Sequence, residues 1–318
     1  VISKKVATAA KAAITIGIIW LLLSHVELAP VATRLRHLGP PEIALALLPY
    51  AVQIVFASER WRIVCTRLGV GLRFVAALQI VTIGTFFNQT LPSAVGGDAM
   101  RVWLLVRDRI AFGKAVNTVL CDRVFALVVL IVLSTATLPL FYGHVSDAHA
   151  RFGVTVFDAV GLAGFAVFLV SGNQVAHLLR RWKLSRPFGE LAHDFHRLFK
   201  APTVTLGLAA WSLTIHLLTI VSAWVIARVL VIDVSLLDCL IVIPPVVLIS
   251  MLPVSIAGWG IREGAMIVGF GLVGMAPSDA LAISICLGLA SVIIGLPGGL
   301  LWLWNRQAAA AEIAPVRD

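Results

Sequence analysis

Residues 91–101 read LPSAVGGDAMR, and residues 252–262 read LPVSIAGWGIR. Both fit Leu-Pro-x4-Gly-x3-Arg without a gap, 161 positions apart. Each copy sits between apolar stretches and carries a Pro/Gly break, an arginine and an acid (Asp98 or Glu263). Helix breakers and charges are costly at membrane depth, so two matched copies point to one site built from two halves.

The composition around the phrase sets the class. Hydrophobic residues make up 60% of the 318-residue chain and only 13% is charged, with a mean hydropathy of +0.99. A soluble domain carries about twice that charge. Apolar runs of bilayer-spanning length fall at 10–26, 42–58, 115–141, 153–172, 204–230 and 279–304. The expectation is an all-α polytopic membrane protein forming a single transmembrane domain over 1–318. Lys4, Lys5 and Lys11 ahead of the first apolar run resemble the start of a signal peptide. With no small-x-small cleavage site, a retained first span is expected. Cys65, Cys121, Cys239 and Cys286 are scattered and read as small apolar residues.

Charge sets the topology. With the N-terminus inside, cytoplasmic segments hold 17 Lys and Arg against 3 outside (Arg34, Arg36 and Arg151). That bias orients the chain only if the two broken segments, 74–106 and 236–275, do not cross. Arg73 and Arg107 flank the first, so both of its ends read as cytoplasmic. The second has Asp233, Asp238 and Asp279 near its ends and no nearby Lys or Arg, so both of its ends read as external. Each is therefore expected to be a re-entrant helical hairpin. Three spans separate them, which makes the repeat inverted. The full expectation is about six spans plus these two hairpins. The basic loop at 173–203 is expected to be cytoplasmic. Within it, 190–200 (ELAHDFHRLFK) is expected to form an interfacial helix, with the Arg180, Arg181, Trp182 and Lys183 cluster near anionic headgroups.

The hairpin tips are the candidate site. Pro92 and Pro253 interrupt the helix ladder, while Gly96, Gly97, Gly258 and Gly260 permit tight turns. Asp98 is expected as an N-cap. Helix N-termini aimed at the tips, together with Arg101 and Arg262, form an anion site suited to a phosphate. The alternative is two packed turns with local pairs, Asp98 to Arg101 and Arg262 to Glu263, and no ligand. Asp122 and Arg123 open another span, either as part of the site or as interfacial anchors, and Glu59 with Arg60 reads as an anchor. Six ionised residues (Asp98, Arg101, Asp122, Arg123, Arg262, Glu263) would cost about 18 kcal/mol if left unpaired at mid-membrane. They must pair, hydrate or sit near the interface. Asn88 and Gln89 could bond a headgroup or cap the bent limb. His216 reads as structural, and Pro244, Pro245 and the 295–299 Gly/Pro run as kinks. No metal-ligand spacing, P-loop, nucleophile elbow or paired-carboxylate cleft is evident, so neither a cofactor nor group-transfer chemistry is expected.

At FFNQTLPSAVGGDAMR (86–101), at Asp122 and Arg123, and at LPVSIAGWGIREGA (252–265), the chain resembles a flippase-like superfamily. That superfamily includes the transmembrane region of lysylphosphatidylglycerol synthases, and the resemblance covers nearly the whole chain. It implies an inner-membrane protein that moves lipids with modified or glycosylated headgroups, in pathways of hopanoid, polyprenyl-linked or aminoacyl lipids. The separate soluble aminoacyl-transferase domain of the synthases is not found in this chain, so lysyl transfer is not expected. Gly-Gly-Asp stands at 96–98 where some members have Gly-Glu.

The expected function is a lipid translocase rather than an enzyme, with an anionic, phosphate-bearing headgroup held where the two tips meet. The alternatives are a membrane-embedded lipid-modifying enzyme and a non-transporting scaffold for lipid-biosynthesis enzymes. Expected partners are membrane lipids, not nucleic acid. The expected location is the inner (cytoplasmic) membrane, with both termini inside.

Overall fold

The computed structural model describes residues 32–34, 38–90, 95–180, 186–251 and 259–312, with side chains except at 170–188 and 305–312. The expected span at 10–26, residues 91–94 and 252–258 (with Pro92, Pro253 and Gly258), and the side chains of the 180–183 cluster lie outside the described residues. The described residues form helices and short connections, with no strand among them.

Five helices are long and apolar enough to cross a membrane: α1 (Pro40–Arg67), α4 (Phe112–His144), α5 (Ala148–Arg180), α7 (Pro202–Val229) and α10 (Pro277–Glu312). They contain the expected spans at 42–58, 115–141, 153–172, 204–230 and 279–304. In hydrocarbon every backbone polar group must be satisfied within the segment, so apolar runs of this length become helices. Proline opens α1 and α7, at first-turn positions whose N–H has no intrahelical partner. The shorter helices are α2 (Phe74–Thr90), α3 (Gly96–Arg107), α6 (Arg186–Phe199), α8 (Leu236–Ser250) and α9 (Ile261–Gly271).

The two broken segments are the helix pairs α2–α3 and α8–α9, each packed on itself. In the first, the Gly97 N–H donates to Asn88 Oδ1 at 2.8 Å. A Cβ at Gly97 would overlap the Gly84 carbonyl, so this approach requires glycine. In the second, Gly269 faces Val242 and Val246. Each pair has its own core. Trp61, Ala77, Ile83, Leu104, Leu105 and Val119 pack around the first, and Ala223, Ile226, Val242, Met266, Phe270 and Ile283 around the second.

Helix α10 touches both pairs. A Cβ at Gly298 would overlap the Thr82 carbonyl, Gly295 faces the backbone of Thr85 and Phe86, and Gly299 lies on the Phe86 ring. The 295–299 glycines, read above as a kink, are the surface on which α2 lies. Two turns earlier, Gly288 lies against Arg262 and Trp259.

Connections gather at two ends. At the basic end, Lys114 Nζ donates to the Gly69 carbonyl (2.9 Å), Arg197 Nη2 donates to the Arg67 carbonyl (2.5 Å), and Asn117 Nδ2 donates to Asp194 (2.8 Å). At the other end, Arg34 pairs with Asp279 (2.8 Å) and donates to the Leu230 and Val231 carbonyls. There Val145 and Phe141 pack with Ile241, Leu237 and Leu272.

Helix α6 departs from expectation. Its apolar residues do not face a membrane surface. Phe195 and Leu198 are 1% and 3% exposed, packed with Val64, Phe125, Val204 and Leu208. The amphipathic pattern was read correctly, but its apolar face meets protein. Burial, with Lys200 and His193 nearby, holds the His196 imidazole below its ordinary range.

Gly298→Ala is expected to destabilise the bundle by about 1–3 kcal/mol through overpacking. Gly207→Ala, on α7 where a Cβ meets open space, serves as the neutral control. Thermal denaturation of the purified protein in detergent distinguishes them.

Candidate functional site: two arginine clusters and a cavity

Five charged side chains from three helices form one alternating chain. Arg60 Nε donates to Asp122 Oδ1 at 2.8 Å, and Arg101 Nη2 to Asp122 Oδ2 at 3.1 Å. Arg101 Nη1 reaches Asp98 Oδ1 at 3.4 Å. Arg123 then grips Asp98 with two bonds of 2.8 Å. Arg60 Nη1 also donates to Ser212 Oγ on α7 at 3.1 Å. Arg60, Asp98, Arg101 and Asp122 are buried, whereas the Arg123 side chain is 40% exposed. The Arg101 guanidinium carbon lies 4.2 Å from the centre of the Trp61 ring, and the buried Arg101 Nε has no hydrogen-bond acceptor. The indole face takes that place.

This arrangement revises three expectations. Asp122 is not an interfacial anchor: it lies ten residues into α4, about 15 Å along the helix. Arg60 is not an anchor either. Glu59 is taken by Arg62 at 2.6 and 2.7 Å on one face of α1, and Arg60 turns inward from another. Asp98 is not the N-cap of α3. Val95 occupies that position and Asp98 is the third helical residue, where a carboxylate still meets the positive end of the helix.

The second copy is built differently. Gly260 caps α9 with φ +87°, a conformation that favours glycine. Glu263, the third residue of α9, accepts from the Gly260 N–H at 2.5 Å with Oε2. Its Oε1 accepts from Arg262 Nη2 (2.6 Å), Arg262 Nε (3.0 Å) and Ser284 Oγ (3.1 Å). The Arg262 guanidinium carbon lies 4.8 Å from the Trp259 ring centre. Aligned on the arginines, the two phrases match. Aligned on the helix starts, it is the acids that coincide, both at the third residue. Arg101 is then the sixth residue of its helix and Arg262 the second, one turn apart. The longer reach carries Arg101 into a crowd of charges.

Arg262, although bound to Glu263 and Ser284, also borders open space. It lines a cavity of about 200 Å³ with Tyr50, Thr219, Ser250, Val246 and Met266, among other apolar residues. Gly288, against Arg262, lies eleven residues into α10, about 16 Å from its start. That is close to half a hydrocarbon core. Of the remaining candidates, Gly96 and Gly97 are buried at the start of α3, Asn88 binds Gly97, and Gln89 is half-buried beside it. These serve the first turn rather than the cavity. Gly258 lies outside the described residues. His216 Nε2 donates to the Ala126 carbonyl at 2.9 Å, a structural bond between α7 and α4.

Tyr50, Trp61, Trp259 and Ser284 were missed by the sequence reading. The one available signal was the placement of Trp61 and Trp259 within three residues of a charged arginine.

The family model for the lysylphosphatidylglycerol synthase transmembrane region matches residues 8–299. The chain belongs to that family. A UPF0104 membrane protein of Methanothermobacter thermautotrophicus is 23% identical, covering 94% of this chain and 93% of the relative. UPF0104 membrane proteins of Pyrococcus horikoshii and Methanocaldococcus jannaschii are 27% and 29% identical over 34% and 32% of this chain, and over 32% and 31% of their own lengths. The family resemblance read from the three motifs is therefore correct.

Removing one partner from a buried pair leaves an uncompensated charge. Asp122→Asn is expected to cost about 3–5 kcal/mol, and Arg123→Gln, at the exposed end, distinctly less. Melting temperatures of the two variants in one detergent check this order.

Proposed function

We propose that this chain is a lipid translocase that moves an anionic, phosphate-bearing lipid between leaflets, with the headgroup held against Arg262. The observation that carries this reading is the cavity beside Leu287 of α10, about half a hydrocarbon core from the start of that helix. It offers one guanidinium and the hydroxyls of Tyr50, Thr219 and Ser250 within otherwise apolar walls. A guanidinium recognises phosphate through its fork of donors. Arg101 does not share this role: it is held between two carboxylates, Asp98 and Asp122, and does not line the cavity, whereas Arg262 is paired with the single carboxylate Glu263 and does line it. The shared two-arginine site expected from the repeat gives way to one binding arginine and one locked arginine. Further along the same α1, α7 and α10, an apolar cleft of about 150 Å³ is lined by Ile43, Ala46, Ile226, Leu289 and Ile293. It would receive the start of an acyl or prenyl tail.

The reading includes two opposed re-entrant hairpins. In its support, α2 begins and α3 ends beside the basic connections, while α8 begins and α9 ends beside the Arg34 and Asp279 end. Along α10, contacts with α9 fall at 284–288 and contacts with α2 at 295–299, so the two pairs approach each other from opposite ends. The reading also puts the basic end on the cytoplasmic side, as the positive-inside rule favours, in a cytoplasmic-membrane protein with both termini inside. Moving a lipid in this way involves no covalent step, and rocking of one half against the other would alternate access to the cavity.

The test is reconstitution into vesicles with a labelled anionic phospholipid, scoring exchange between leaflets. Arg262→Ala is expected to slow exchange at least tenfold, the equivalent of one lost charged hydrogen bond. Arg262→Lys, which keeps the charge without the fork, should fall between. Exchange equal to that of empty vesicles, or equal in wild type and Arg262→Ala, overturns the reading.

A further inference from the structure

We propose that Asp158, on α5, is a proton-binding site that couples lipid movement to a proton gradient; the coupling rests on the translocase reading, and the proton site does not.

Four acids are buried among the described residues: Asp98, Asp122, Asp158 and Glu263. Three are held by arginines. Asp158 is the exception, and no ion pair involves it among the described residues. It is 1% exposed. Its Oδ2 lies 2.9 Å from Ser134 Oγ on α4, and its buried Oδ1 has no hydrogen-bond partner. Asp158 stands ten residues after the start of α5, and Ser134 ten residues before the end of α4. Both therefore lie about 15 Å from the turn that joins the helices, near the middle of a hydrocarbon core.

A carboxylate in that position would keep a full charge with one hydroxyl bond and one bare oxygen. The neutral acid fits the same geometry without charge: Oδ2–H donates to Ser134 Oγ and Oδ1 becomes a carbonyl oxygen. An acid of this kind within a membrane segment is a functional-site candidate by its cost alone. Protonation adds one proton to the carboxylate at Oδ2, and deprotonation gives that same proton back to solvent water.

None of the charged and titratable groups on the surrounding elements is bonded to Asp158 among the described residues, and most of them are bonded elsewhere. On α5, Arg151 donates to the Val145 and Tyr142 carbonyls, and His149 lies beside it near the helix start. On α4, the Tyr142 hydroxyl bonds Thr155 and His144 bonds the Leu140 carbonyl, while Asp122 and Arg123 belong to the arginine cluster. On α8, Asp238 caps its own helix through Ser235. On α6, Asp194 and Arg197 bind Asn117 and Arg67 at the basic end, in the same helix as Glu190, His193 and His196.

The pair is also placed to reach the cavity. One turn from Ser134, Leu130 and Ile131 pack with Val247 and Leu248 of α8. Val247 lines the Arg262 cavity. A change in the charge of Asp158 alters the fit of α5 on α4, and through that packing the wall of the cavity. Coupling of this kind is reciprocal, so a proton gradient biases the cavity as lipid occupancy biases proton affinity.

Two measurements separate the proton site from the translocase reading. The first is infrared spectroscopy of the purified full-length protein. A neutral carboxylic acid band is expected that disappears in Asp158→Asn, persists in Asp158→Glu and shrinks as pH rises. Absence of a band sensitive to Asp158→Asn, or a band unchanged across pH, overturns the proton site whether or not lipid is transported. The second is labelled-lipid exchange in vesicles with and without an imposed pH difference of one unit. Wild type should respond to the gradient by up to about tenfold, the limit for one proton. Asp158→Asn should give the same rate with and without it. Equal responses in wild type and Asp158→Asn overturn the coupling, while exchange that depends on Arg262 would leave the translocase reading standing.

Discussion

A charge buried at hydrocarbon depth must meet an opposite charge or a dense set of dipoles within hydrogen-bonding distance, because water is not there to solvate it. The chain from Arg60 through Asp122, Arg101 and Asp98 to Arg123 meets that constraint with helices α1, α3 and α4. It ties the first helix pair to two long helices at once. Each carboxylate is shared by two guanidiniums, and the chain ends outward at the half-exposed Arg123. The one excess positive charge is therefore spread toward solvent rather than left bare.

The same constraint explains why the two copies of the phrase have different roles. In the first, the acid lies a turn before the arginine, so it can hold Arg123 while Arg101 passes on to Asp122. In the second, acid and arginine are neighbours, and Glu263 holds both its own helix cap and Arg262. One copy became a clasp and the other an arginine paired with Glu263 at the edge of a cavity. Helix α10 sets their spacing. Its small residues let α2 lie backbone to backbone at 295–299 and let Arg262 and Trp259 pack at Gly288. Glycine acts there by removing side-chain bulk, not by bending the helix.

Much of the fold was legible beforehand. Among the described residues, five long helices match five of the six expected spans, because hydrocarbon thickness imposes helix and length together. The two broken segments appear as helix pairs, because Pro and Gly in an apolar run interrupt the backbone ladder. The six costly charges of the candidate site were required to pair, hydrate or sit near the interface, and all six are found in ion pairs. Partner identity was not legible: Arg60 and Asp122 are 62 residues apart in sequence. Helix α6 was misjudged for a related reason. An amphipathic stripe looks the same whether it faces lipid headgroups or the phenylalanines of its own protein, and Phe195 meets Phe125 and Phe168.

By itself the sequence determined that this is a helical membrane protein of the lysylphosphatidylglycerol synthase transmembrane-region family, with two matched breaks that carry charge. Those properties are local: run length, breaker residues and charge count can be read along a line. Only the tertiary structure decided that Arg101 is engaged, that Arg262 faces a cavity, and that Asp158 is buried beside Ser134 without a cation. Whether a buried charge is balanced depends on which helices pack together and in what rotation, and that is settled by long-range contact rather than by spacing along the chain.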